Sequence, residues 1–314
     1  MRIVRIAMIV ALALLMGWFV WSARESIAAV NWRDPRVIGA IAVMLLAWIL
    51  GQCAAGAAWW LLLGRAIGLR RAVGILLTTQ IGKYLPGNVG QFVGRAYLGR
   101  RHGLTLPHCG ATMTAEILLS IGLGLGVAVL MAALDPVGTE PLADFLPGFW
   151  VLTALGTAVV GILGALLFFP ERIGRLMPAD SRLRKLVPPP LPAPALTLAI
   201  GLHMVLYVIL ASGLWLVLPV FAGDAAVPFS VTFAVFGVAT VTGIVTPGAP
   251  GGLGVREAVI VAGLAPFMAP DTAIVIALAL RAATVLGDLA IFAIGWLLLR
   301  RCGPADVVAA SPGN

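Results

Sequence analysis

The chain has 314 residues, of which 61% are hydrophobic and only 11% are charged, and its mean hydropathy is +1.05. These proportions exclude an ordinary soluble domain and are typical of a protein built from apolar membrane segments. The net charge of +8 could suggest a nucleic-acid partner. However, the cations are spread over short segments between apolar runs, as in membrane topology, so we predict no nucleic-acid binding.

Six apolar runs predict an all-α integral membrane protein with about six spanning helices. In chain order they cover residues 6–21, 37–63, 110–134, 148–169, 195–221 and 272–299. The first run follows Arg2 and Arg5 and could be the core of a signal peptide. No small-residue cleavage site follows it, so we favour an uncleaved first helix.

Two further apolar segments, residues 74–98 and 229–262, are interrupted by Pro and Gly and share a pattern. Six pairs of identical residues recur 161 positions apart without a gap: Thr79/Thr240, Gly82/Gly243, Pro86/Pro247, Gly87/Gly248, Gly90/Gly251 and Arg95/Arg256. A shared Pro-Gly followed at fixed spacing by Gly and then Arg is hard to obtain by chance. We infer an internal duplication, with helix breaks at Pro86, Gly87, Gly90, Pro247, Gly248, Gly251 and Gly252.

The distribution of charge predicts the topology. If both interrupted segments enter and leave the membrane on one side, the inward segments hold 15 of the 21 Lys and Arg residues. The outward segments then hold three Arg and seven acidic residues. Treating either interrupted segment as a single crossing would place later basic loops outside. The sequence therefore predicts two re-entrant helical hairpins, with the N- and C-termini in the cytoplasm.

The predicted organisation has five parts. They are a first helix with its outer loop (1–36), repeat one (37–170) with hairpin 74–98, a basic Pro-rich cytoplasmic linker (171–194), an inverted repeat two (195–300) with hairpin 229–262, and a cytoplasmic tail (301–314). Three crossings separate the starts of the repeats, so the copies lie in opposite orientations. Inverted repeats with broken helices are the architecture of many transporters, and irregular backbone at membrane depth needs protein or a wet cavity around it. We expect the hairpins to face each other across a cavity.

Polar and ionisable residues within the apolar segments are the candidate substrate-binding residues, because their cost in a membrane usually indicates a partner or a pathway. They are Lys83, Asn88, Gln91, Arg95, Glu116, Arg256, Glu257, Arg281 and Asp288. The N–H groups at each helix break, with an Arg about two turns later, suit an anion such as phosphate.

A structural interpretation of the same residues stays open. The glycines would then allow close packing, and Arg95 and Arg256 would extend to an interface. Arg281 and Asp288, seven residues apart on one helical face, would form an ion pair bridged by another residue. His203 is expected to be a hydrogen-bonded interior histidine.

The sequence contains no catalytic motif of a soluble enzyme, such as HExxH, GxSxG or a phosphate-binding loop with Lys-Ser/Thr. Its three cysteines, Cys53, Cys109 and Cys302, show no metal-ligand spacing and indicate no disulfide framework. We therefore predict no cofactor, no metal and no enzymatic activity.

Residues 82–95, GKYLPGNVGQFVGR, and residues 247–257, PGAPGGLGVRE, resemble the transmembrane region of lysylphosphatidylglycerol synthases. That family includes the flippase half of multiple peptide resistance factor and stand-alone relatives, and the resemblance covers nearly the whole chain. It implies movement of a phospholipid or glycolipid between leaflets. Two departures limit what it implies: Gln91 stands where many relatives carry an acidic residue, and no stretch resembles the soluble aminoacyl-transferase domain.

These observations together predict a lipid flippase of a bacterial inner membrane, whose partner is a membrane lipid, expected to bear a phosphate. Lys83, Arg95 and Arg256 would hold the phosphate. The acidic residues Glu116, Glu257 and Asp288 would balance charge or contact an amino group. An integral-membrane transferase acting on a lipid-linked substrate, a non-transporting partner of a lipid-modifying enzyme and a homo-oligomer remain alternatives or additions.

Overall fold

Every regular element in the described part of the chain is helical, which confirms the all-α prediction. The computed structural model describes residues 14, 17–18, 20–85, 89–145, 149–169, 171–172, 175, 193–223, 226–246 and 249–301. Its α-helices are α1 (Arg24–Ala29), α2 (Pro35–Leu62), α3 (Leu69–Thr79), α4 (Gly90–Arg101), α5 (Leu106–Leu134), α6 (Pro136–Phe145), α7 (Phe149–Phe168), α8 (Ala193–Ala222), α9 (Phe229–Val245), α10 (Val255–Leu264) and α11 (Pro270–Arg300). Two short 3₁₀ helices, Gln80–Tyr84 and Pro250–Gly252, lie between α3 and α4 and between α9 and α10.

Four of these helices, α2, α5, α8 and α11, are long and apolar enough to cross a membrane. At 28 to 31 residues each, they extend about 42–47 Å, more than the hydrocarbon thickness of about 30 Å. They correspond to the predicted spans 37–63, 110–134, 195–221 and 272–299. Helix α7 covers the predicted span 148–169, whereas most of the predicted span 6–21 lies outside the described residues.

Helices α2 and α5 begin earlier than predicted because capping residues precede their apolar runs. The side chain of Asp34 accepts a hydrogen bond from the backbone N–H of Arg36, so α2 begins at Pro35 rather than at residue 37. Thr105 likewise caps α5, which begins at Leu106 rather than at residue 110. Proline in the first helical turn lacks the N–H group that would be left unpaired there, which favours these starts.

The duplication is visible in the order of the helices. Adding 161 to the bounds of α2, α3, α4 and α5 places them on α8, α9, α10 and α11 to within five residues at each end. Helix α2, for example, moves to 196–223, and α8 is observed at Ala193–Ala222. Each repeat is therefore a long helix, a pair of shorter helices separated by a break, and a second long helix.

The first helices of the two repeats, α2 and α8, run antiparallel. A Cβ atom added to Gly51 would lie 3.2 Å from Cδ1 of Leu206, and one added to Gly213 would lie 2.7 Å from Cβ of Ala47. The later residue of α2 therefore contacts the earlier residue of α8, and the earlier residue of α2 contacts the later one of α8. Equivalent helices of the two repeats consequently point in opposite directions, as the inverted-repeat prediction requires.

Each broken helix pair packs on the last helix of the other repeat. Between α3 and α11, a Cβ atom added to Gly295 would lie 2.9 Å from the carbonyl oxygen of Gly74. Between α9 and α5, one added to Gly124 would lie 3.0 Å from the carbonyl oxygen of Gly237. Small residues at both crossings let the backbones approach closely. The two repeats therefore interlock rather than lie side by side.

The interrupted segments are helix–break–helix units that are slightly longer than predicted, covering 69–101 and 229–264. We call the described residues 80–85 and 89 the first break and residues 246 and 249–254 the second break. In the second break, Gly251 has φ +59°, a backbone conformation that is energetically unfavourable for an L residue with a side chain. In the first, a Cβ atom on Gly82 would lie 2.6 Å from the backbone nitrogen of Gln91. That the units enter and leave on one side of a membrane stays a prediction.

Candidate functional site

A cavity of about 280 Å³ lies where the two breaks meet. Residues from both breaks line it, together with side chains from α2, α4, α5, α8, α9 and α10. The breaks also touch each other, since a Cβ atom added to Gly251 would lie 3.3 Å from the ring of Tyr84. The interrupted segments thus face one cavity, as the sequence predicted.

Arg95 of α4 and Glu116 of α5 form an ion pair at the wall of the cavity. Arg95 is only 1% exposed, and its guanidinium carbon lies 5.1 Å from the centre of the Trp59 ring. Its Nε–H group is buried and has no hydrogen-bond acceptor among the described residues. Arg95 therefore points inward, toward Glu116, and does not extend to a membrane interface as the structural interpretation allowed.

Lys83 of the first break is paired with Asp288 of α11. The Lys83 Nζ atom lies 2.7 Å from Oδ2 of Asp288. The fully buried Asp288 carboxylate also accepts hydrogen bonds from the Tyr84 hydroxyl (2.6 Å) and from Trp48 Nε1 (2.9 Å). Three donors around one carboxylate satisfy it, so it anchors the first break and does not face the cavity.

Glu257 and Arg281 stabilise the second break. Oε2 of Glu257 accepts a hydrogen bond from the backbone N–H of Gly254 (2.7 Å), at the start of α10. Its Oε1 atom lies 3.5 Å from NH1 of Arg281, which also donates to the carbonyl oxygen of Gly251 (3.0 Å). Both residues line a second, smaller void of about 10 Å³, which Arg256 also lines. The geometry assigns them a structural role.

Arg281 and Asp288 do not pair with each other. The guanidinium carbon of Arg281 lies 5.6 Å from the centre of the Tyr84 ring, and the hydroxyl of Tyr84 donates to Asp288. The two residues are linked through Tyr84, while each has its own ion-pair partner. The two residues therefore do not form the ion pair that the structural interpretation allowed, although Tyr84 lies between them.

Arg256 of α10 lines the cavity and makes no hydrogen bond or ion pair with any described residue. Its guanidinium carbon lies 5.8 Å from the centre of the Trp48 ring and 5.7 Å from that of Phe236. Gly243 makes room for its stem, because a Cβ atom added there would lie 2.6 Å from Cγ of Arg256. Aromatic faces attract a guanidinium but leave its charge and its N–H donors available.

The charges around the two breaks therefore do not balance. Within the described residues, this cluster contains four cations and three carboxylates, and the carboxylates are engaged by Lys83, Arg95 and Arg281. One positive charge remains, on Arg256. Because an unpaired charge at membrane depth is costly, the cavity is suited to an anionic ligand.

The structure divides the predicted site residues into two groups. Lys83, Gln91, Arg95, Glu116 and Arg256 line the cavity, as does Gly251. Glu257, Arg281 and Asp288 hold the breaks in place from behind. The predicted residues Pro86, Gly87, Asn88, Pro247 and Gly248 lie outside the described residues.

Several polar residues on the cavity were not among the predicted ones. Gln80 donates from Nε2 to Oε1 of Gln52 (2.9 Å), and both line the cavity. Gln52 could have been predicted as a cavity residue from the sequence, because a polar residue within an apolar helix indicates a partner or a pathway, as a charged residue does. The Tyr207 hydroxyl donates to the carbonyl oxygen of Ser120 (2.7 Å). Its position on the cavity could not be read from the sequence, because Tyr is ordinary in apolar helices.

His203 is 1% exposed and also lines the cavity. Its Nδ1 atom lies 3.1 Å from the carbonyl oxygen of Ala199 and must carry the proton, because a carbonyl only accepts. It is the hydrogen-bonded interior histidine that the sequence predicted. The described residues contain no group of three or more His, Cys, Asp or Glu side chains placed to hold a metal ion.

The fold and the cavity together define a multi-pass helical membrane protein with an internal inverted repeat and a cationic cavity between two broken helix pairs. Residues 3–295 match the sequence model described as the lysylphosphatidylglycerol synthase TM region, and the chain belongs to that family. The family assignment confirms the resemblance found in the two interrupted segments and links the protein to lipid modification or lipid transport. A comparison with curated proteins found no match.

Proposed function

We propose that the protein is a lipid flippase, or translocase, which moves the head group of a phospholipid or glycolipid through the cavity while the acyl chains stay in the bilayer. The observation that carries this proposal is the positive charge of Arg256, with which no described carboxylate forms an ion pair. A cation removed from water needs an anion or pays a desolvation cost. Phosphate is the anionic group common to most lipid head groups, and a guanidinium binds it through paired N–H donors.

Two neighbouring groups would complete the phosphate site. Arg95 and Lys83 line the same cavity as Arg256, each within an ion pair with a carboxylate of the protein. Gln52 and Gln80 add amide groups that suit the hydroxyls of a glycerol or sugar. The cavity therefore offers cationic donors for a phosphate and neutral donors and acceptors for the remainder of a head group.

The inverted repeat supports movement rather than binding alone. Two halves of opposite orientation can exchange conformations, and that exchange opens a shared site to each side in turn. In this chain the shared site lies between the two breaks, where regular helix is interrupted in both repeats. We also propose that the protein lies in a bacterial inner membrane with both termini in the cytoplasm. Basic residues favour the cytoplasmic side of a membrane, and such residues lie at the ends of α4 and α11: Arg100, Arg101, Arg300 and Arg301.

The test is reconstitution into vesicles with fluorescent lipids in both leaflets and a membrane-impermeant quencher outside. Wild-type protein is expected to make inner-leaflet lipid accessible to the quencher. Arg256→Ala should slow this by about 10- to 100-fold, the value of one charge-assisted hydrogen bond of about 1.5–3 kcal/mol. Arg256→Lys keeps the charge and should retain part of the rate. Arg300→Gln, which removes an exposed Arg stacked on Trp296, is the matched control.

Three results would contradict the proposal. Normal transport by folded Arg256→Ala protein would remove Arg256 from the site. Absence of transport of every lipid by folded wild-type protein would favour a partner of a lipid-modifying enzyme. Formation of a new lipid product by the purified chain would instead favour a transferase.

A further inference from the structure

We propose that the head group taken by this cavity is anionic, bearing a phosphate and no ammonium group, so that aminoacylated and other amine-bearing lipids are poor substrates. This inference rests on the proposed translocase function. It concerns which head groups the cavity selects. The evidence is that carboxylates and aromatic rings around the two breaks already contact cations of the protein.

The carboxylates that could bind an ammonium group are already engaged by cations of the protein. Asp288 and Glu257 are paired with Lys83 and Arg281, and both are buried away from the main cavity. Among the described residues that line the cavity, Glu116 is the carboxylate, and it is paired with Arg95. An ammonium group could bind Glu116 only by displacing Arg95.

Displacement of Arg95 is unfavourable because its guanidinium has nowhere else to place its charge. Its side chain is 2% exposed, and it packs over the ring of Trp59. Moving an amine onto Glu116 would leave a buried Arg without a counter-ion, which is the costly way to break a buried ion pair. A phosphate requires no such displacement, because Arg256 lines the same cavity and forms no ion pair with a described carboxylate.

Two of the four aromatic side chains that line the cavity, Trp48 and Phe236, already lie close to cations of the protein. The Nζ atom of Lys83 lies 4.6 Å from the centre of the Trp48 ring, which Arg256 also approaches. Arg256 lies over Phe236 and Arg95 over Trp59. An ammonium ligand is commonly recognised by faces of this kind, and here the protein's own cations use them.

Charge balance and size favour the same class of head group. A singly charged phosphodiester would neutralise the positive charge that remains on Arg256, whereas a head group with net positive charge would increase it. The volume of about 280 Å³ lies near the lower end of ligand pockets, which run from about 300 to 1,000 Å³. It suits a compact head group such as phosphoglycerol better than one extended by an amino-acid ester.

The experiment compares three labelled lipids in vesicles made mainly of phosphatidylcholine. They are phosphatidylglycerol, phosphatidylethanolamine and lysyl-phosphatidylglycerol, which have net negative, zero and net positive charge. Phosphatidylglycerol is expected to cross at least about tenfold faster than either amine-bearing lipid, the discrimination expected when one charged contact is lost. Equal or faster movement of an amine-bearing lipid would overturn this inference and leave the translocase proposal standing. No movement of any of the three by folded protein would refute both.

A binding measurement in detergent micelles tests the same inference without transport. Short-chain phosphatidylglycerol should raise the unfolding temperature of wild-type and Arg300→Gln protein, and should do so less for Arg256→Lys and least for Arg256→Gln. Short-chain lysyl-phosphatidylglycerol should have little effect, and equal stabilisation by it would overturn the inference. Glycerol phosphate and inorganic phosphate are tested in the same way, to distinguish binding of a lipid head group from binding of a free phosphate anion. Stabilisation by these alone, without any by the lipid, would show a soluble phosphate site and would also overturn it.

Discussion

Lys83 and Asp288 are 205 positions apart in the chain, yet the Lys83 Nζ atom lies 2.7 Å from Oδ2 of Asp288. The pair joins the first break to α11, the last long helix of the other repeat. Because Asp288 also accepts hydrogen bonds from Tyr84 and Trp48, one carboxylate ties three elements together. The contact holds an irregular stretch of backbone against a regular helix at the edge of the cavity.

Replacing Asp288 by Asn should destabilise the protein strongly. It would leave Lys83 without its counter-ion, and breaking a buried ion pair from one side costs about 3–5 kcal/mol. The measurement is the unfolding temperature of protein purified in detergent. Asp271→Asn, at an exposed position in the first turn of α11, is the control and should behave like wild type.

A double variant makes this prediction sharper. Adding Lys83→Met to Asp288→Asn removes the stranded charge and should recover part of the lost stability, as a double-mutant cycle would show. If Asp288→Asn alone unfolds at the wild-type temperature, the pair does not anchor the first break.

Glu257 can be tested by two substitutions that differ in what they remove. Glu257→Gln keeps an acceptor for the Gly254 N–H and loses the charge that faces Arg281, whereas Glu257→Ala loses both. The Ala variant should therefore be less stable than the Gln variant by about 0.5–2 kcal/mol, the value of a helix cap. Equal unfolding temperatures for the two variants would show that the hydrogen bond to Gly254 contributes nothing.

Gly251 should not tolerate a side chain. Its φ of +59° costs an L residue about 1–2 kcal/mol, and an added Cβ atom would also lie 3.3 Å from the Tyr84 ring. Gly251→Ala should lower the unfolding temperature and slow transport. Gly201→Ala is the matched control, because a Cβ atom there meets nothing within 4 Å and Ala favours helix. Wild-type behaviour of Gly251→Ala would contradict the backbone conformation of the second break.

Asp135, at the end of α5, should make stability depend on pH in the acidic range. The Ser230 hydroxyl and the Gly138 N–H both donate to it, and they hold the pKa of its carboxyl below the ordinary value of 3.8. The stabilisation is therefore complete above that value and is lost as the pH falls through the lower pKa of the folded state. Ser230→Ala removes the larger of the two causes and should weaken this dependence.

The measurement for Asp135 is the unfolding temperature from neutral pH to about 3, the range in which a depressed carboxyl pKa acts. Other acidic residues titrate in the same range, so the difference between wild type and Ser230→Ala is the informative quantity. Parallel curves for the two proteins would show that Ser230 does not stabilise the ionised carboxylate.

The sequence alone was sufficient for the helices and the repeat. The runs 37–63, 110–134, 195–221 and 272–299 were recoverable because a membrane span must satisfy its backbone internally and reach across about 30 Å of hydrocarbon. The duplication was recoverable because breaking a helix at a defined point needs Pro and Gly, and these recur at one spacing. Local chemistry determines both features, so they are visible in a linear pattern.

Only the tertiary structure decided how the charges are paired. From the sequence, Glu257 was one of the candidate substrate-binding residues, yet it caps α10 and pairs with Arg281. Neighbours in sequence on a helix point in different directions, and the strength of an ion pair depends on a separation of a few ångströms. That separation is set by how α3 packs on α11 and α9 on α5. Arg256 therefore acquired its role as the unneutralised cation of the cavity from the packing of the two repeats.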